Sequence, residues 1–90
     1  MSLIAIKISK YELIPLKEGL SNLKLDSTIR YKKISEWQFL LEIDDMADLE
    51  SLDEEIKDLL VYKGFNSNGN PKQFGLSCEK LIDKFHKFLE

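Results

Sequence analysis

Alternation of apolar and polar positions marks three strands along this chain. In Leu3 to Ser9, the residues Ile4, Ile6 and Ile8 recur at every second position, the period of a strand with one buried face. Leu3 and Ala5 on the other side predict partial cover there as well. Thr28 to Lys33 alternates around Ile29 and Tyr31. Trp37 to Ile43 alternates most cleanly, with Trp37, Phe39, Leu41 and Ile43 on one side and Gln38, Leu40 and Glu42 on the other. The connector around Ile34-Ser35-Glu36 is short enough for a hairpin, so these two strands are expected to be antiparallel neighbours.

A helical period replaces the alternation elsewhere. Within Asp44 to Lys63, Met46, Leu49, Leu52, Ile56, Leu59 and Leu60 repeat at three and four and form one apolar stripe. Two starts compete for this helix. Asp44 or Asp45 can cap a helix beginning at Met46, whereas Ser51-Leu52-Asp53-Glu54 has the pattern of a capping box. Lys63-Gly64 supplies a basic last turn and a glycine stop. Ser77 to Phe88 predicts a second helix, with Ser77 as its N-cap and Cys78, Leu81, Ile82, Phe85, Phe88 and Leu89 as its apolar stripe. Between Tyr11 and Leu25, Pro15 is expected to break the helix and leave a short one from Leu16 to Lys24, weakened by about 1 kcal/mol at Gly19. Phe65 to Gly75 reads as loop, with a type I′ turn at Asn68-Gly69.

The element order predicts an α+β fold over residues 1–90 as a single compact domain. A small antiparallel sheet of about three strands carries two or three helices on one face. A βαββα core of ferredoxin-like type followed by a C-terminal helix is one way to arrange them. Composition supports this picture. Leu, Ile, Val and Phe make up a third of the 90 residues, well above the ~20 % below which chains stay disordered. A chain of this length buries roughly 60–65 % of the surface its unfolded form exposes, which provides one modest core. With one Cys and one His, there is no internal disulfide, cysteine-based zinc site or histidine cluster. No run approaches the ~18 apolar residues of a membrane span. The first residues lack the charged and apolar regions of a signal peptide, and the lone thiol suits a reducing compartment, so the cytoplasm is the expected location.

Charge changes the picture more than composition does. The net charge is only −3, but residues 42–58 hold nine acids and a single base. The rest of the chain is mildly basic, so the molecule is expected to be bipolar. Part of that acidity has a structural reason, because acids in the first turns of a helix favour the positive end of its dipole. The remainder supplies candidate partner-binding residues, Asp48, Glu54, Glu55 and Asp58, on the polar face of the helix.

The searches for chemistry return little. No EF-hand spacing occurs among the acids, since the sixth position from Asp44 is Leu49 and from Asp48 is Asp53, where a glycine is needed. Cys78 and His86 lie about 80° and ~12 Å apart on one helix and do not form a nucleophile–base pair. Gly64, Gly69 and Gly75 make no phosphate loop. Lys24, Arg30, Tyr31, Lys32 and Lys33 form a small basic, aromatic patch. The acidic helix and negative net charge argue against nucleic acid as the partner. No catalytic residue, cofactor or metal is therefore assigned. The size and acidity are those of small inhibitor, immunity or regulatory proteins, a compositional likeness that rests on no motif. The expectation is a non-enzymatic protein-interaction module that presents its acidic helix to a protein partner, basic in character. Its apolar excess also favours a homodimer. The alternative is a regulatory domain that binds a small molecule at a dimer seam.

Overall fold

The computed structural model describes residues 4–25, 28–64, 69 and 72–89. The chain runs β1 (Ile4–Ser9), α1 (Lys10–Leu23), β2 (Arg30–Lys33), β3 (Gln38–Ile43), α2 (Met46–Lys63) and α3 (Gln73–Leu89). The three strands form one sheet in the order β1-β3-β2, and β3 is antiparallel to both neighbours. β1 and β2 are thus parallel to each other, joined through α1, with β3 inserted between them. This split β-α-β arrangement is the one that opens a ferredoxin-like fold. After α2, that fold would add a fourth strand; this chain continues as α3.

Register explains the two faces of the sheet. Ile4, Ile6 and Ile8 stand opposite Ile43, Leu41 and Phe39, and Tyr31 and Lys33 extend that same side across β2. The three helices cover this side over β1 and β3, where all three isoleucines of β1 are buried with Leu41 and Ile43, while Tyr31 and Lys33 of β2 stay exposed. The other side, with Ala5, Lys7, Arg30 and Lys32, is exposed. The cover expected over Ala5 is therefore not there. Trp37 also departs from its expected place. It precedes β3, in a turn where Ile34 and Ser35 N–H groups donate to the Gln38 carbonyl at 3.0 and 3.2 Å, and its side chain is exposed.

α1 corrects the expectation of a broken helix. It begins at Lys10, and Pro15 lies inside it, buried. A proline inside a helix removes one backbone hydrogen bond and crowds the carbonyl of the preceding turn, together costing about 3 kcal/mol. Two features offset it. Ser9 Oγ accepts from Glu12 N–H at 3.3 Å while Glu12 Oε1 accepts from Ser9 N–H at 3.2 Å, a complete capping box. Leu13, Leu16 and Leu20 then keep one apolar stripe running past the proline into the core. α1 ends with Lys24 in the left-handed region (φ 58°), and Leu25 N–H donates to Leu20 O at 2.9 Å.

Close backbone approaches set the helix layer. A Cβ on Gly19 would meet Ile56 Cδ1 at 3.1 Å and Leu52 Cδ1 at 3.3 Å, so the glycine that weakens α1 locally lets α2 pack against it. For α2, the earlier start prevails: Asp45 is the N-cap, its side chain accepting from Ala47 N–H at 2.9 Å, and Ser51 lies mid-helix. α2 stops at Gly64, which is right-handed (φ −77°), so it is no left-handed cap. Space is the reason for glycine there. A Cβ on Gly64 would clash with Leu60 O, and one on Gly75 would clash with Gly64 O. α3 accordingly starts at Gln73, four residues before the expected N-cap. Ser77 is buried inside the helix, and Gln73–Gly75 is helix, not loop. Of the apolar stripe expected for this helix, Phe88 is exposed. The Asn68-Gly69 turn lies outside the described residues, apart from Gly69 itself (φ +83°).

Candidate functional site

At 100° per residue, α2 buries Leu49, Leu52, Ile56 and Leu59 and turns Glu54 and Asp58 to the middle of its solvent face. Both are exposed. Asp48 and Glu55 lie on the shoulder that faces α1 and are only half-exposed. Glu55 is already engaged, since its Oε2 accepts from Asn22 Nδ2 of α1 at 2.9 Å. The four expected residues thus divide into a central pair and a shoulder pair. Glu50, which the sequence reading did not single out, belongs with the central pair, one turn before Glu54 and also exposed.

The stripe continues past the acids. Val61 and Tyr62 are 73 % and 84 % exposed, and Tyr62 stands one turn beyond Asp58. Among the described residues, Glu50, Glu54 and Asp58 form no ion pair within 4 Å, whereas other acids do: Glu12 with Lys84, Glu18 with Lys63, Asp44 with Arg30 and Asp53 with Lys57. Asp53 is the buried member of the acidic run. Its Oδ2 lies 2.9 Å from Lys57 Nζ, and this hydrogen bond and charge raise the lysine pKa above its ordinary value. Asp53 Oδ1 has no hydrogen-bond partner. It lies beside a shallow depression of about 490 Å³ lined by Glu50, Asp53, Glu54 and Leu89 among others.

The remaining candidates for chemistry stay apart. Cys78 is fully buried on α3, and desolvation pushes its thiol up to about 11. His86 is exposed, two turns further along. Among the described residues, no group of three or more His, Cys, Asp or Glu side chains is able to hold a metal ion. No described helix is long and apolar enough to cross a membrane.

The basic patch read from the sequence does not survive as one surface. Strand alternation sends Arg30 and Lys32 to the open side of the sheet and Tyr31 and Lys33 to the helix side. Arg30 pairs with Asp44 at 3.8 Å. A different grouping forms instead, because α1 runs beside the hairpin. Lys10 Nζ sits 4.5 Å from the Trp37 ring centroid, and Lys17 Nζ 6.0 Å from that of Tyr31. No known protein family, curated protein or solved structure matches this chain.

Proposed function

We propose that this protein is a non-enzymatic interaction module, of inhibitor or regulatory type, that docks a basic protein partner on the solvent face of α2. One observation carries the reading: Glu50, Glu54 and Asp58, without an ion pair among the described residues, run along one stripe that ends in the exposed side chains of Val61 and Tyr62. Unpaired acids on a rigid helix raise the encounter rate with a basic surface and fix the orientation of approach. A tyrosine held out on that helix supplies a large contact area at low entropic cost, the usual character of a residue that dominates an interface. A homodimer, and residence in the cytoplasm, remain parts of this proposal that rest on composition alone.

The test is capture of partners on the immobilised protein at low salt and at about 0.5 M salt, where screening shortens to roughly 4 Å. Wild type is compared with Glu54→Lys/Asp58→Lys and with Tyr62→Ala. A basic protein retained at low salt, released at high salt and lost with both variants is the expected result. A partner retained equally by the charge-reversed protein rules out this face.

A further inference from the structure

The surface between α1 and the β2–β3 hairpin is built from different chemistry. Trp37 is held against the start of α1, its carbonyl accepting from Lys10 N–H at 3.0 Å while the Lys10 ammonium sits over its ring. Seven residues on, about 10 Å along the helix axis, Lys17 repeats the arrangement over Tyr31. Tyr31 is cross-strand from Leu41, four residues from Trp37, so the two rings are separated by roughly 13 Å along the hairpin. Lys33, cross-strand from Phe39, lies between them on the same side of the sheet. Ile14 occupies the intervening turn of α1 and is 60 % exposed, and Trp37 is 56 % exposed.

Two cation–aromatic pairs in register, with an apolar residue between them, leave a considerable area of aromatic surface in water. Among the described residues, Lys10, Lys17 and Lys33 have no carboxylate within 4 Å. Of the nearby acids, Glu18 is tied to Lys63 at 2.7 Å, and Glu36 lies in the hairpin turn. The acidic stripe of α2 does not intrude, since α2 packs against the other flank of α1, through Gly19 and the Asn22–Glu55 contact.

We infer that this surface docks a single-stranded nucleic acid, with Trp37 and Tyr31 as stacking platforms and Lys10, Lys17 and Lys33 on the phosphates. Alternating cations and exposed rings is the pattern such strands require, because each nucleotide offers one negative charge and one flat face. A duplex keeps its bases stacked on each other and has no faces to give. An acidic protein segment would satisfy the lysines but has no use for two spaced rings. The inference is independent of the α2 reading.

Trp37 is the only tryptophan in the chain, so its emission reports directly on this site. The experiment titrates the whole protein with oligo-dT and oligo-U in about 10 mM salt, where charges act over about 30 Å. The expected result is saturable quenching that weakens as salt rises. Lys10→Ala/Lys17→Ala, both exposed positions, should bind more weakly and make the log–log salt slope shallower by about 1.4, at about 0.7 per lost contact to a single strand. Trp37→Ala, followed by anisotropy of a labelled oligonucleotide, should bind about five- to hundredfold more weakly. Glu54→Lys/Asp58→Lys should not weaken it. Absence of quenching at low salt overturns the inference, as does quenching that the lysine variant leaves intact. Polyglutamate that binds as tightly as the oligonucleotide overturns it in favour of an acidic protein.

Discussion

At the junction of α2 and α3, Gly64 and Gly75 bring two backbones so close that neither position has room for a Cβ, and Phe85, Leu81 and Cys78 behind them are fully buried. At the far side of the sheet, every residue of β2 is exposed, and the strand pairs with β3 along one edge. One region is fixed by contact on all sides, and substitution there changes volume in a space that does not yield. The other is fixed by a ladder of hydrogen bonds on one edge and keeps its side chains in water, where outside contacts can reach them. The difference teaches where to look for function in a small fold: the region that contributes least to the core carries the tryptophan and two lysines, Lys32 and Lys33, that have no ion pair among the described residues.

Three measurements sharpen or break this contrast. The largest effect is expected from Phe85→Ala, which should lower unfolding free energy by about 3–5 kcal/mol in urea titrations. Trp37→Ala in the same assay should cost less than about 1 kcal/mol. Equal costs would mean that the hairpin end is part of the core after all. Next comes Gly75→Ala, which forces the α2–α3 crossing apart and should cost about 1–3 kcal/mol despite alanine's better helix propensity. The smallest effect concerns Cys78, whose thiol stands at about 11 against an ordinary 9.0. At pH 8, the native protein should react with a thiol reagent at least about a hundredfold more slowly than the unfolded chain, since only the thiolate attacks. The sign of the linked stability follows. The folded state keeps its proton longer, so stability is full below about pH 9 and falls as pH rises towards 11. Cys78→Ala should flatten that fall, which thermal melts at pH 8, 9.5 and 11 would detect.

Much of the fold was legible because period decides it. Alternation in Trp37–Ile43 and the three-four repeat in Met46–Leu60 each point to one element, and β3 and α2 lie where those patterns run. The misses have local causes. Pro15 alone points to a break, but the Ser9-Lys10-Tyr11-Glu12 capping box and the leucine stripe on either side of the proline outweigh it, and α1 is continuous. Ser77 has the side chain of an N-cap, but Gly75 must enter the contact with Gly64, which draws the helix start back to Gln73. Site residues were harder to find. The acids announced themselves by density, yet burial separates Asp53 from Glu54, and only the packing of α1 distinguishes Glu55 from Asp58. Tyr62 and Val61 lie four residues beyond Asp58 and seven beyond Glu54, respectively, so the helical period already turns them to water, a signal that the density of acids before them overshadows. The Lys10–Trp37 and Lys17–Tyr31 pairs join residues 14 or more positions apart and arise from the crossover of α1 alone.

Lys84 of α3 reaches the outer edge of β1, where its ammonium donates to the Lys7 carbonyl at 2.9 Å and pairs with Glu12 at 2.7 Å. That carbonyl points away from β3, on the side where a further strand would bind. A lysine seated there occupies the acceptor and places a charge in the path of any incoming chain, a defence against sheet-to-sheet aggregation that costs the fold no extra residue. Acetylation of Lys84 would remove the charge and loosen the Glu12 pair together, so this one side chain links the solubility of the molecule to the capping of its first helix.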